Sequence, residues 1–275
     1  FGPGFVARAE QNGPSWLAPL PAFTIDRLQP EFSDGDLLVQ IASDDPLSVA
    51  HASRMIVKDA RAFATVRWMQ QGFRRAHGSV KPGTTMRNLF GQVDGTTNPQ
   101  PGTADFDTVV WSDAPGWWAG GTGMVVRRIA MDLDTWDEID RVGRDQFLGR
   151  TQANGAPLTG TDEFDEPDFD ATSELGVPII PVFSHVRRSR SPHAHERIFR
   201  RAYNYDHGQD ASGATDAGLV FVSFQADVER QFTPIQRRLD ELDMLNQWTT
   251  PIGSAVFAVP PGCAEGGYIG ETMLG

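Results

Sequence analysis

Strand and helix patterns alternating along the chain predict an α+β protein of two ferredoxin-like units, each with an antiparallel sheet and peripheral helices, the N-terminal one incomplete. Two repeats of the strand, helix, strand order and a final apolar run near the C-terminus carry this reading. In the first unit, residues 35–42 read as a buried strand. Residues 46–62 follow as a helix with Val49, Ala50, Ala52, Ser53, Ile56 and Val57 spaced for one apolar side, and 64–71 return as a strand. Residues 87–101 read as loop and 105–111 as a short strand. The second unit opens with a strand over 123–132 and a helix over 135–148 that Asp134 is placed to cap. The acidic, Gly/Asp/Pro-rich stretch 155–175 reads as a long surface loop, and 177–181 as a short strand or an extended approach to His185. Strands are expected over 198–205 and 218–225, a helix over 229–248, and a last buried strand over 254–259. The units divide at residues 1–116 and 117–275. No internal sequence repeat is visible, so any duplication is structural.

The 275 residues suffice for one large domain or two ordinary ones, and 40% hydrophobic content supplies a sizeable core. Lys and Arg number 24 against 36 Asp and Glu, a formal charge of -12, which argues against nucleic acid or an anionic membrane as a general partner. Basic residues cluster locally at Arg187, Arg188, Arg190, Arg197, Arg200 and Arg201, a group suited to a small anionic ligand or to a solvated face. The single cysteine, Cys263, excludes an intramolecular disulfide and a thiolate metal cage. No apolar run is long enough to span a membrane.

The most informative stretch is Gly91-Gln92-Val93-Asp94-Gly95, continuing into Thr96-Thr97-Asn98-Pro99. One carboxylate stands between two glycines, where the backbone can approach a flat ligand closely and aim Asp94 at it. The same residue types also build an ordinary surface turn. Among the six histidines, only His185 follows an apolar approach, Ile179 to Phe183, that can bury the ring and leave one nitrogen for a metal. A satisfied core histidine is the competing reading. His193 and His195 have the spacing of a metal pair but sit in a Ser/Pro-rich loop and are expected in solvent.

The Gly-x-x-Asp-Gly loop, the downstream His185 and the arginine beyond it in Ile198-Phe199-Arg200 resemble the dye-decolourising peroxidase family, with the bacterial secreted-type subgroup most similar. The resemblance runs from Phe1-Gly2-Pro3-Gly4 to the segment ending at Gly262. It implies haem b, with His185 as the proximal iron ligand and Asp94 and Arg200 as the distal catalytic pair, Arg201 being the alternative if the register slips by one. It also implies that Arg187 approaches a haem propionate and that Gly95 and Thr96 offer backbone contacts beside the ring. Phe221 or Phe224 lines the distal side, with Phe221 preferred. Asp240, Asp243 or Asn246 supports the imidazole. Hydrogen peroxide and dyes, phenols or other one-electron donors are the implied partners, in an extracellular or cell-envelope setting. Family members carry a further strand and helix before the Phe-Gly-Pro-Gly segment, so a shortened or processed N-terminus is expected. Trp117, Trp118, Tyr203 and Tyr205 are candidate stations for electrons moving to bulky donors. Two rival functions use the same residues: a haem-handling protein that releases iron, and an assembly subunit whose sheet is completed by a partner.

Overall fold

The computed structural model describes residues 1–209 and 213–275. In chain order the elements are α1 (Pro3–Arg8), α2 (Pro46–Ala60), β1 (Met86–Arg87), β2 (Val93–Asp94), α3 (Ala104–Val110), β3 (Thr122–Met131), α4 (Leu133–Asp137), α5 (Arg141–Leu148), α6 (His185–Ser189), β4 (Phe199–Arg200), β5 (Tyr203–Gln209), β6 (Thr215–Gln225), α7 (Thr233–Leu242), β7 (Thr249–Val259) and α8 (Glu271–Leu274). A π-helical turn (Val228–Phe232) leads into α7, and a 3-10 turn (Met244–Gln247) follows it.

The second unit is an antiparallel sheet in which β3 lies between β6 and β7, and β4 and β5 both pair with the far edge of β6. Taking β4 and β5 as one interrupted strand, the order is second, third, first, fourth, with helices after the first and third strands. That is the ferredoxin-like arrangement. Side-chain alternation gives the sheet two different faces. Val125, Phe221 and Val256 face α1, Trp16 and Phe232, while Met124, Val126, Val222 and Phe257 are covered by Leu38 and Trp68 from the N-terminal region.

Several segments differ from expectation. The segment expected as strand over 105–111 lies instead in helix α3 up to Val110, because Phe106, Val109 and Val110 are spaced for one helical face and Thr103 caps it by accepting the Phe106 N–H at 3.2 Å. Residues 35–42 and 64–71 carry no regular secondary structure and join no ladder, and Leu37, Val39, Val66 and Met69 are exposed. The helix expected over 135–148 is split by two N-caps, Asp132 accepting from the Thr135 N–H and Asp140 from the Gly143 N–H at 2.7 Å. The helix expected over 229–248 breaks at Asp243, whose extended backbone ends α7 and whose side chain starts the following turn.

The helix α7 is anchored one turn earlier. Asp240 accepts the Thr24 N–H, the Thr24 hydroxyl and the Ile25 N–H at 3.0, 2.7 and 3.0 Å. Burial raises the cost of its charge, but these donors outweigh that and hold its pKa below the ordinary aspartate value. The stabilisation is therefore present above the unfolded-state value and is lost as pH falls through the lower folded-state value. Asp240→Ala is expected to cost about 1–3 kcal/mol at neutral pH and to remove part of the stability loss seen on acidification. Denaturant melts at several pH values would show whether it does.

Candidate active site

The Asp94 loop is built by a hairpin and two glycines. The strand β2 pairs with β1, Asp94 opposite Met86, so Asp94 itself sits on a two-residue strand rather than in irregular loop. Gly91 (φ 78°) and Gly95 (φ 125°) flank the strand with left-handed backbone that other residues resist. Glu163, from the long acidic loop, accepts from the hydroxyls of Thr85 and Thr96 at 2.6 and 2.9 Å and so ties both sides of the hairpin to one carboxylate.

Arg200 comes from the opposite direction, on edge strand β4. Its Nη1 lies 3.0 Å from Asp94 Oδ1, with the two side chains 25% and 15% exposed. Arg201 turns away and donates its Nε–H to the Tyr203 hydroxyl at 2.9 Å. The register decides between the two phenylalanines. Arg200 is opposite Ser223, and Phe221 lies two residues from Ser223, so Arg200 and Phe221 share a face. Phe224 is on the other face, packed with α3 and Phe199.

His185 opens α6, with Ser184 before it. Its Nδ1 is 2.6 Å from Asp243 Oδ2, and Asp243 Oδ1 accepts the Leu245 N–H at 3.0 Å. The helix break at Asp243 thus turns its carboxylate onto the imidazole. Of the three acids and amides weighed from the sequence, Asp240 is committed to Thr24 and Ile25, and Asn246 donates to the Leu239 carbonyl. Burial, the largest influence on His185, works against its protonation. The Asp243 charge and hydrogen bond prevail, so its pKa is raised, and the charges of Arg200 and Asp94 also reach the ring.

Arg187 lies against Phe169, donating to its carbonyl oxygen with its guanidinium over the ring, while its buried Nε has no partner. Trp117 is buried and donates to the Asn12 carbonyl; Tyr205 is buried with an unpartnered hydroxyl pushed up to about 12 by burial. His193 and His195 stack on one another in the exposed loop, and no cluster of metal-binding side chains occurs among the described residues.

Two surface clefts, of about 470 and 520 Å³, flank these residues. The first is lined by Gly91, Arg141, Gln152 and Ala153, and the second reaches Asp243 beside Phe183 and Asp240. Neither is lined by His185, Asp94 or Arg200, and what marks a cofactor site is the donor set itself. That set fits haem. Among the described residues, His185 has no hydrogen bond at Nε2, its side chain is 31% exposed despite its interior position, and Arg187 keeps an unpaired N–H for an anion.

Residues 1–74 match the family description "Dyp-type peroxidase, N-terminal", and residues 85–264 match "Dyp-type peroxidase, C-terminal". The chain belongs to the Dyp-type peroxidase family. It is 39% identical over 274 residues to the dye-decolorizing peroxidase of Thermobifida fusca, covering 97% of this chain and 64% of that protein. It is 34% identical over 271 residues to a deferrochelatase of Escherichia coli, covering 95% of this chain and 63% of that protein. A crystal structure of a DyP-type peroxidase from Cellulomonas bogoriensis superposes with a TM-score of 0.95 at 51% identity, over 100% of this chain and 77% of that one. The chain thus spans just under two thirds of the length of the two relatives it was matched to by sequence. The family is haem-dependent.

Glu163 and Asn98 were not singled out from the sequence. Glu163 stands in a loop crowded with acids, where nothing marks one carboxylate above another. Asn98 stands in the glycine-flanked stretch, and its signal is its place one turn beyond Asp94.

Proposed function

We propose that this chain is a haem b peroxidase that uses hydrogen peroxide to oxidise dyes, phenols or other one-electron donors. The observation that carries it is a carboxylate and a guanidinium 3.0 Å apart, together with an imidazole oriented by its own carboxylate at 2.6 Å. In this reading His185 Nε2 holds the iron, Asp243 fixes the ring through Nδ1, and Arg187 meets a propionate. Gly95, Thr96 and Phe221 border the ring. When bound, haem supplies two electrons to peroxide and recovers them one at a time from donors. Asp94 takes a proton from one peroxide oxygen and returns it to the other, and Arg200 stabilises the negative charge that develops on the departing oxygen. The division at residues 116 and 117 and an extracellular or cell-envelope location belong to the same reading.

A second reading follows from the deferrochelatase relative: a protein that removes iron from haem, with peroxide turnover incidental. Absorbance of the purified protein with and without hydrogen peroxide, together with donor oxidation and iron released from supplied haem, separates the two. Rapid donor oxidation without iron release is the expected result. Iron release without peroxide-dependent turnover would replace the peroxidase reading.

A further inference from the structure

Arg200 is held by more than its ion pair. It lies on the two-residue edge strand β4, and the next residue, Arg201, donates its N–H to the Val222 carbonyl across the ladder at 2.8 Å. The N–H and C=O of Arg200 itself do not go to β6, and at a sheet edge such groups are commonly left to water. Here one side chain takes both. The Arg200 N–H donates to Asn98 Oδ1 at 3.0 Å, and Asn98 Nδ2 donates to the Arg200 carbonyl at 2.7 Å. A primary amide carries a donor and an acceptor side by side, much as a neighbouring strand presents them, so Asn98 occupies the edge at this one residue.

Asn98 is in turn fixed to the loop that carries Asp94. Its N–H donates to the Gly95 carbonyl at 3.1 Å, closing a turn that begins directly after Asp94. The 94–98 segment therefore grips Arg200 twice, at its backbone through Asn98 and at its guanidinium through Asp94. The backbone grip does not depend on the charge of either partner.

We propose that Asn98 is a positioning residue for the peroxide step: by holding the Arg200 peptide groups it sets where the Arg200 guanidinium lies relative to Asp94. This rests on the role given to Arg200 above. A misplacement of about 1 Å can cost a reaction on the order of a hundredfold, and a short edge strand released from its clamp can readily move that far. Asn98→Asp separates the two bonds, because a carboxylate still accepts the Arg200 N–H but has no donor for the carbonyl and repels it.

The test compares Asn98→Ala, Asn98→Asp, Arg200→Ala and the Asn98→Ala/Arg200→Ala double variant as haem-loaded proteins. It reads kcat/KM for hydrogen peroxide, KM for a phenolic donor and hydrogen exchange at the Arg200 and Arg201 amides. Asn98→Ala is expected to lower kcat/KM for peroxide by about 10–100-fold with the donor KM unmoved. Its Arg200 amide exchanges faster while that of Arg201 stays protected. Asn98→Asp, nearly isosteric, keeps the Arg200 amide protected but loses rate, and the double variant is no slower than Arg200→Ala. An Asn98→Ala rate within twofold of the parent, unchanged exchange at Arg200, or penalties that add in full would each overturn the proposal. If Arg200→Ala is slow and Asn98→Ala is not, this inference alone fails. If Arg200→Ala is itself as fast as the parent, the role of Arg200 fails and the inference falls with it.

Discussion

Purified His185→Ala protein is expected to carry almost no haem. The imidazole is a metal-type donor that the structure orients and leaves open: Nδ1 is taken by Asp243 at 2.6 Å, which directs the other ring nitrogen away from the carboxylate. Alanine removes the ligand and also leaves Asp243, 4% exposed, with the Leu245 N–H as its remaining partner. A buried carboxylate stripped of its partner costs about 3–5 kcal/mol, so a lowered melting temperature accompanies the haem loss. Asp243→Asn separates the two effects. It keeps the shape and removes the charge, and outer partners of this kind typically change metal affinity about 10–100-fold. The expected order of haem content is parent, then Asp243→Asn, then His185→Ala, measured as haem absorbance per protein after reconstitution with equal haem. Parent-like haem absorbance in His185→Ala would remove His185 as the ligand.

The second unit was legible because its strands are long and apolar on both faces. Residues 123–132, 218–225 and 254–259 were placed within a few residues of β3, β6 and β7. In the first unit the helix over 46–62 was legible as α2, but the strands were not, because a short apolar stretch does not reveal whether a ladder partner exists. Residues 35–42 and 64–71 have strand composition, yet pairing is a long-range event and neither finds a ladder. Residues 105–111 failed for another reason: Phe106, Val109 and Val110 fit a helical period, but the adjacent Val109-Val110-Trp111 run reads equally as strand. At the site, the glycine-flanked Asp94 was visible in local spacing, whereas the choice of Arg200 over Arg201 came from the resemblance to the family; the structure puts Arg200 against Asp94 and Arg201 against Tyr203. The carboxylate beside His185 was not visible, because Asp240, Asp243 and Asn246 all follow one helical period and only the break after α7 decides between them. An Asp followed by Met-Leu inside an expected helix was the available sign, since aspartate favours helix starts over helix interiors.

Asp94→Asn and Arg200→Ala are each expected to slow the reaction with hydrogen peroxide strongly while leaving haem in place. Loss of a positioned proton carrier costs about 10²–10⁴-fold, and loss of one donor to a developing negative charge about 10²–10³-fold. The two side chains touch at 3.0 Å, so their effects should not add; the double variant should be only slightly slower than the slower single variant. Among the described residues neither side chain hydrogen-bonds to His185 or Asp243, and the haem content should stay near that of the parent. An ordinary ion pair gives a different pattern. With the side chains 25% and 15% exposed, such a pair stabilises the fold modestly, and its loss would lower the melting temperature without touching the peroxide rate. Stopped-flow mixing with peroxide, followed at the haem absorbance, reads the step directly, and a thermal melt of the same samples reads the alternative. The peroxidase reading requires the rate to fall in both variants by far more than any change in folding accounts for. Full-speed peroxide consumption in the double variant would leave Asp94 and Arg200 as a structural pair and the proton without a carrier.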